Sequence, residues 1–127
     1  MRALDAATKK VPRGRPYDLE IEHYRGKEVW KIKVASGRDR PHEFYVSSDG
    51  RQIVRRNRHK FDDDAAKALK ARVTLRDAVR TAAKRVNWRL EEAEIDRHRG
   101  TLVWEVEFAE RGREREVLVN ATTGAVI

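Results

Sequence analysis

Four imidazoles, one run of acids and one run of bases are the places where this chain could do chemistry. His23, His42, His59 and His98 are the only histidines, and none stands three to five residues from another, the spacing of helical zinc pairs. The sequence therefore sets out no metal site and no cofactor. Asp62-Asp63-Asp64 has charge for a cation, but it lacks the Gly and distal Glu of a calcium loop and reads as cap and first-turn carboxylates of a helix. Ser36, Ser47 and Ser48 have no Gly-x-Ser-x-Gly context, no Gly-rich phosphate loop precedes a helix, and there is no cysteine. With no nucleophile, base or metal set, the chain is expected not to be an enzyme.

The bases are more suggestive. RRNRHK, from Arg55 to Lys60, follows Arg51, so Arg51, Arg55, Arg56, Arg58 and Lys60 are candidates for neutralising phosphates. Residues 1–60 hold 16 Lys/Arg against 8 Asp/Glu, and residues 61–127 hold 13 of each, so the whole net charge of +8 lies in the first half. Such asymmetry points to an acidic partner surface. No helix-turn-helix, zinc-finger or RNA-recognition signature accompanies it. The readings are a basic nucleic-acid-binding protein, nonspecific polyanion attraction, or a solvated linker.

The elements that would position these residues come from an internal repeat. LEIEHYRGKEVWKIKVA (19–35) overlays AEIDRHRGTLVWEVEFA (93–109) at a constant offset of 74. Gly26 falls on Gly100 and Trp30 on Trp104. Glu105 and Glu107 fall on Lys31 and Lys33 of the other copy, a reversal that suits a solvated face where the pairs can attract each other better than acid–base work. In the second copy Thr74 caps a helix whose apolar residues Leu75, Ala78, Val79, Ala82 and Val86 recur at helical spacing, giving about 13 residues ending near Asn87. A strand near 90–98 follows. After the Arg99-Gly100 turn, Leu102, Trp104, Val106 and Phe108 alternate with Val103, Glu105 and Glu107, and further strands cover 116–121 and Ala125–Ile127.

The first copy repeats this order. A short helix ends at Val11-Pro12, strands follow around Leu19, Ile32 and Phe44, and Asp49-Gly50 turns into Gln52–Arg55. Met1 overlays Arg76, so the chain begins inside the first copy's helix. Either that helix is short or residues once preceded Met1. Between the copies, Asp62 caps an additional helix with Phe61, Ala65, Leu69 and Val73 along one side. The expected class is α+β: two tandem αβββ repeats, at 1–56 and 74–127, joined by a linker and helix at 57–73, each antiparallel sheet packed on a helix. Trp30 and Trp104 are expected in equivalent buried places, and Gly26 and Gly100 complete the structural set. Tyr45, Leu118, Val29 and Val103 point to the outer faces, where the copies meet or a partner docks. No apolar run reaches the roughly 18 residues of a membrane span, and no signal-peptide core opens the chain.

These residues resemble a PepSY domain: an Ala-rich helix (LRDAVRTAA), a hairpin with an aromatic among alternating aliphatics (GTLVWEVEF), then a strand ending in an Asn-Ala-x-x-Gly turn and a short aliphatic strand (VLVNATTGAVI). The terminal turn of the first copy, VSSDGRQIV, is similar to PepSY-like repeats related in shape to beta-lactamase inhibitor proteins. The resemblance implies a non-catalytic binding or inhibitory module with a protein partner, such as a peptidase or an envelope protein. It also implies an extracytoplasmic setting. Tyr45 then joins the five basic residues as a candidate partner contact. A structural or assembly role through exposed sheet edges is the further alternative.

Overall fold

The computed structural model describes residues 1–127. Its elements are α1 (Arg2–Lys9), β1 (Arg15–Tyr24), β2 (Lys27–Ala35), β3 (His42–Ser47), β4 (Ile53–Arg58), α2 (Asp63–Lys70), α3 (Leu75–Ala83), β5 (Arg89–His98), β6 (Thr101–Glu110) and β7 (Arg113–Asn120). Local chemistry accounts for the boundaries. Asp62 Oδ1 accepts from the Ala65 N–H at 2.8 Å to start α2, and Thr74 Oγ1 accepts from the Asp77 N–H at 3.1 Å to start α3. The hairpins turn on Arg25-Gly26, Arg99-Gly100 and Arg111-Gly112, each pair with both φ values positive, the geometry whose twist matches paired strands. Gly26 and Gly100 are therefore exposed turn residues and take no part in the core. The third helix is shorter than its apolar pattern suggests: it stops at Ala83, and Val86 is buried from the turn beyond it. Ala125–Ile127 contributes one bridge, Val126 to Val119.

The expectation of two sheets is corrected. All seven strands form one antiparallel sheet in the order β4-β3-β2-β1-β5-β6-β7. Each β-meander alone would leave its first strand as a bare edge of unpaired N–H and C=O groups, and pairing β1 with β5 satisfies both edges at once. The seam is only three pairs long: Asp18–Glu94, Leu19–Ala93 and Glu20–Glu92. Its centre pairs two residues 74 apart, the repeat offset, so the register is locally two-fold about Leu19 and Ala93.

The core divides labour by residue size. Helices bring small or slender residues (Ala3, Leu4 and Ala7; Ala65 and Ala68; Leu75, Ala78 and Ala82), which lets them lie close to the strands. Strands bring the bulk: Tyr17, Leu19, Ile32, Phe44, Trp104, Val106 and Phe108 are almost fully buried in one continuous cluster. Trp104 is 1% exposed, and its indole N–H donates to the Val73 carbonyl at 2.9 Å. Trp30 departs from expectation, being only partly buried against the same cluster. The segment that leads from α2 into α3 supplies the Val73 carbonyl to the Trp104 indole, and Trp30 makes no comparable hydrogen bond.

Candidate functional site on the helix-free sheet face

The buried residues of all three helices belong to the same core as Leu19, Ile32 and Trp104, so strand alternation sends the intervening residues to the opposite face. That face has two chemically distinct halves. Toward β4, Tyr24 and Tyr45 meet edge to face with ring centroids 5.3 Å apart and planes at 78°. The Arg55 guanidinium lies 5.8 Å from the Tyr24 centroid and 5.4 Å from that of Tyr45, and Arg25 lies 5.2 Å from Tyr24. A groove beside this cluster is lined by Tyr24, Lys27, Val29, Arg51, Gln52 and Val54.

Of the six partner candidates, the structure thus brings Tyr45, Arg55 and Arg51 to one region and separates the rest. Period-two alternation along β4 is the reason. Arg56, opposite Phe44, turns to the other face, where its guanidinium lies 5.2 Å from the Phe44 ring. Arg58, opposite His42, bonds the Arg40 carbonyl through Nη2 at 2.7 Å, and Lys60 lies beyond the strand. The basic tract is a two-sided edge strand, which also discourages pairing with another chain. Val29 and Val103 do lie on this face but are buried, flanked in register by Glu22 and Ser47 and by Asp96 and Asn120. They are not free docking residues.

Toward β7 the face is a ladder of carboxylates. Asp18 stands opposite Glu94, Glu20 opposite Glu92, Glu94 opposite Glu105, Glu92 opposite Glu107, and Glu107 opposite Glu116. Like charges directly across strands repel. Burial, then the neighbouring carboxylates, pushes the Glu94 carboxyl up to about 7, and the same causes raise Glu92 and Glu107. Asp18 is pushed up to about 6, chiefly by burial, with Lys33 opposing, and its Oδ1 has no hydrogen-bond partner. The expected attraction of Lys31 and Lys33 to Glu105 and Glu107 does not form, because β1 and β5 stand between β2 and β6. Lys31 instead pairs with Glu20 at 3.7 Å and Glu22 at 3.4 Å on the adjacent strand.

At the end of this ladder, Asp96, His98 and Glu105 bring one potential ligand atom each within 4.8 Å of one another. His98 Nε2 is 2.5 Å from Glu105 Oε2 and 3.9 Å from Asp96 Oδ2. The Arg97 N–H donates to Asp96 Oδ1 at 2.7 Å and holds that carboxyl below its ordinary range. A search for paired histidines misses this group. Its visible signal is Asp-x-His, two residues of one face of a strand, with a carboxylate returning on the next strand after a tight turn. On the helical side, a cleft of about 460 Å³ between α1, α2 and the start of α3 is lined by Leu4, Thr8, Ala68, Val73, Arg76 and Trp104.

Comparisons with known proteins bear on the same region. Residues 72–127 match the PepSY model, described as the peptidase propeptide and YPEB domain. Over 125 residues the chain is 26% identical to the uncharacterised YkoJ of Bacillus subtilis (strain 168), spanning 97% of this chain and 69% of that one. A crystal structure of a Clostridium difficile 630 protein, provisionally described as a lipoprotein, shares the fold with a TM-score of 0.55 at 17% identity, across 98% of this chain and 87% of the other. The YpmB protein of Bacillus subtilis aligns with a TM-score of 0.43 at 18% identity, across 98% and 91%. These matches indicate no catalytic family.

Proposed function

The chain belongs to the PepSY family through residues 72–127, and from that premise we propose that it is a non-catalytic protein-binding module whose helix-free sheet face engages and restrains a partner, of which a peptidase is the leading class. The observation that carries this reading is the face itself. It combines rigid aromatic anchors and guanidinium groups on one side with mutually repelling carboxylates on the other. Tyr and Arg are the residues most often found at the energetic centre of interfaces, and an unsatisfied row of charges gains most from a complementary partner. In this reading residues 1–56 and 74–127 are tandem copies of one αβββ unit, fused at the β1–β5 seam and joined by 57–73. Family membership and the likeness to a lipoprotein-type neighbour support a location outside the cytoplasm. No helix is long and apolar enough to cross a membrane.

The splitting of the basic tract between two faces weighs against a nucleic-acid site built from Arg51, Arg55, Arg56, Arg58 and Lys60. The test is inhibition of a panel of secreted metallopeptidases acting on a fluorogenic peptide. Wild-type protein is expected to slow at least one at micromolar concentration, to hold that effect in moderate salt, and to lose it at least tenfold on Tyr45→Ala with Arg55→Ala. Absence of inhibition and of any peptidase complex, together with micromolar DNA or RNA binding that collapses with salt and ignores Tyr45, would overturn the reading.

A further inference from the structure

We propose that Asp96, His98 and Glu105 form a binding site for a divalent transition metal of the zinc class at the turn end of the β5–β6 hairpin. The donor set is chemically apt: one imidazole nitrogen and two carboxylates suit a borderline cation, and three protein ligands leave a coordination position for water or for a partner's side chain. Ligands on a tetrahedral zinc with bonds near 2.0–2.2 Å lie about 3.3 Å apart. The observed Nε2–Oε2 and Nε2–Oδ2 separations of 2.5 and 3.9 Å bracket that value. The three ligand atoms lie within 4.8 Å of one another, and the His98 and Asp96 side chains are 40% and 46% exposed, so rotation about their side-chain bonds can close the set without moving a strand.

The surroundings treat the two oxygens of Asp96 differently. Oδ1 accepts from the Arg97 N–H and lies 3.6 Å from Lys67 Nζ, while Oδ2 faces His98. One oxygen is thus held by groups that orient the carboxylate, and the other is left for a ligand role, the usual division at a metal carboxylate. Lys67 also reaches Asp64 at 3.4 Å, so it keeps an acidic partner when a metal takes its share of Asp96. Val103, fully buried, stands beside Asp96 as its partner on β6, an apolar neighbour on one side of the group. His98 lies at the edge of an open groove with Val103, Leu118 and Asn120, giving an entry path. What separates this group from the rest of the carboxylate ladder is the imidazole nitrogen, aimed at two carboxylate oxygens from different strands.

The test uses the full chain and Zn²⁺ itself as probe. Isothermal titration at pH 7.5 is expected to show one ion per chain with micromolar affinity, and His98→Gln, Asp96→Asn and Glu105→Gln are each expected to weaken it by at least about tenfold. His59→Gln, which removes the contact to Glu43, is expected to leave it unchanged. Imidazole ¹⁵N spectra of the wild type supply a readout that needs no variant: Zn²⁺ should move His98 and leave His23, His42 and His59 in place. Three results would each overturn the proposal: no binding and no His98 shift at millimolar Zn²⁺; affinity indifferent to all three ligand substitutions; or equal affinity for Mg²⁺, which would mark simple attraction to an acidic surface.

Discussion

Replacing Asp18 with Asn should stabilise this protein at neutral pH, and the size of the gain should depend on pH in a definite direction. Asp18 lies on the helix-free face at the β1–β5 seam, opposite Glu94 on β5 and Lys33 on β2. Lys33 and Lys31 favour its charge, and Glu20 on its own strand and Asp64 on α2 oppose it. Burial outweighs them all, so its carboxyl is raised from 3.8 to about 6. A raised acid binds its proton more tightly folded than unfolded. The contribution of Asp18 to stability is therefore most favourable below about pH 4, falls as pH climbs to about 6, and is a constant penalty above that. A carboxyl raised that far corresponds to roughly 2–3 kcal/mol. The amide removes the charge and keeps the shape. Urea denaturation of wild type and Asp18→Asn at steps from pH 4 to 8 should show curves that nearly coincide at pH 4 and separate by up to about 2–3 kcal/mol at pH 7.5, since all other groups titrate in both proteins. A variant less stable than wild type at pH 7.5, or a difference that stays flat from pH 4 to 7, would refute the argument.

The two tryptophans should respond unequally to truncation. Trp104→Ala removes a side chain 1% exposed together with its bond to the Val73 carbonyl and should cost about 3–5 kcal/mol; Trp30→Ala, on a side chain only partly buried, should cost clearly less, and equal losses in chemical denaturation would contradict the difference in cover. Among the turn glycines, Gly100 has φ +81° with open space where a Cβ would stand, so Gly100→Ala should cost about 1–2 kcal/mol from backbone strain alone. Gly50 has φ +77°, and a Cβ there would meet Arg2 Cβ at 2.5 Å and the Ala3 nitrogen at 2.8 Å. Gly50→Ala should cost a further 1–3 kcal/mol by forcing α1 away from the β3–β4 turn, and thermal melts that fail to rank it below Gly100→Ala would remove that contact from the account.

Whatever depends on near neighbours in the chain was open to reading from the sequence. Alternation marked the strands around Trp30 and Trp104, a Thr and an Asp announced the starts of α3 and α2, and the Arg99-Gly100 pair announced the β5–β6 hairpin. The PepSY resemblance rested on the same local pattern of helix, hairpin and terminal turn. All of these follow from periods of 2 and 3.6 residues and from backbone groups satisfied within a few positions. What the pattern left open was which strand edges pair across long sequence separation. Periodicity says which residues share a face, and it is silent on whether β1 and β5 face water or each other. That one pairing turned two sheets into one and set Asp18 and Glu20 against Glu94 and Glu92. It also placed two strands between the lysines of β2 and the glutamates of β6. The basic tract, by contrast, was divided by the period-two alternation of β4 itself, while non-local packing covered Trp104 and left Trp30 partly open. Asp96, His98 and Glu105 could be named from the sequence; their meeting point exists because the hairpin register returns Glu105 beside the strand that carries the other two.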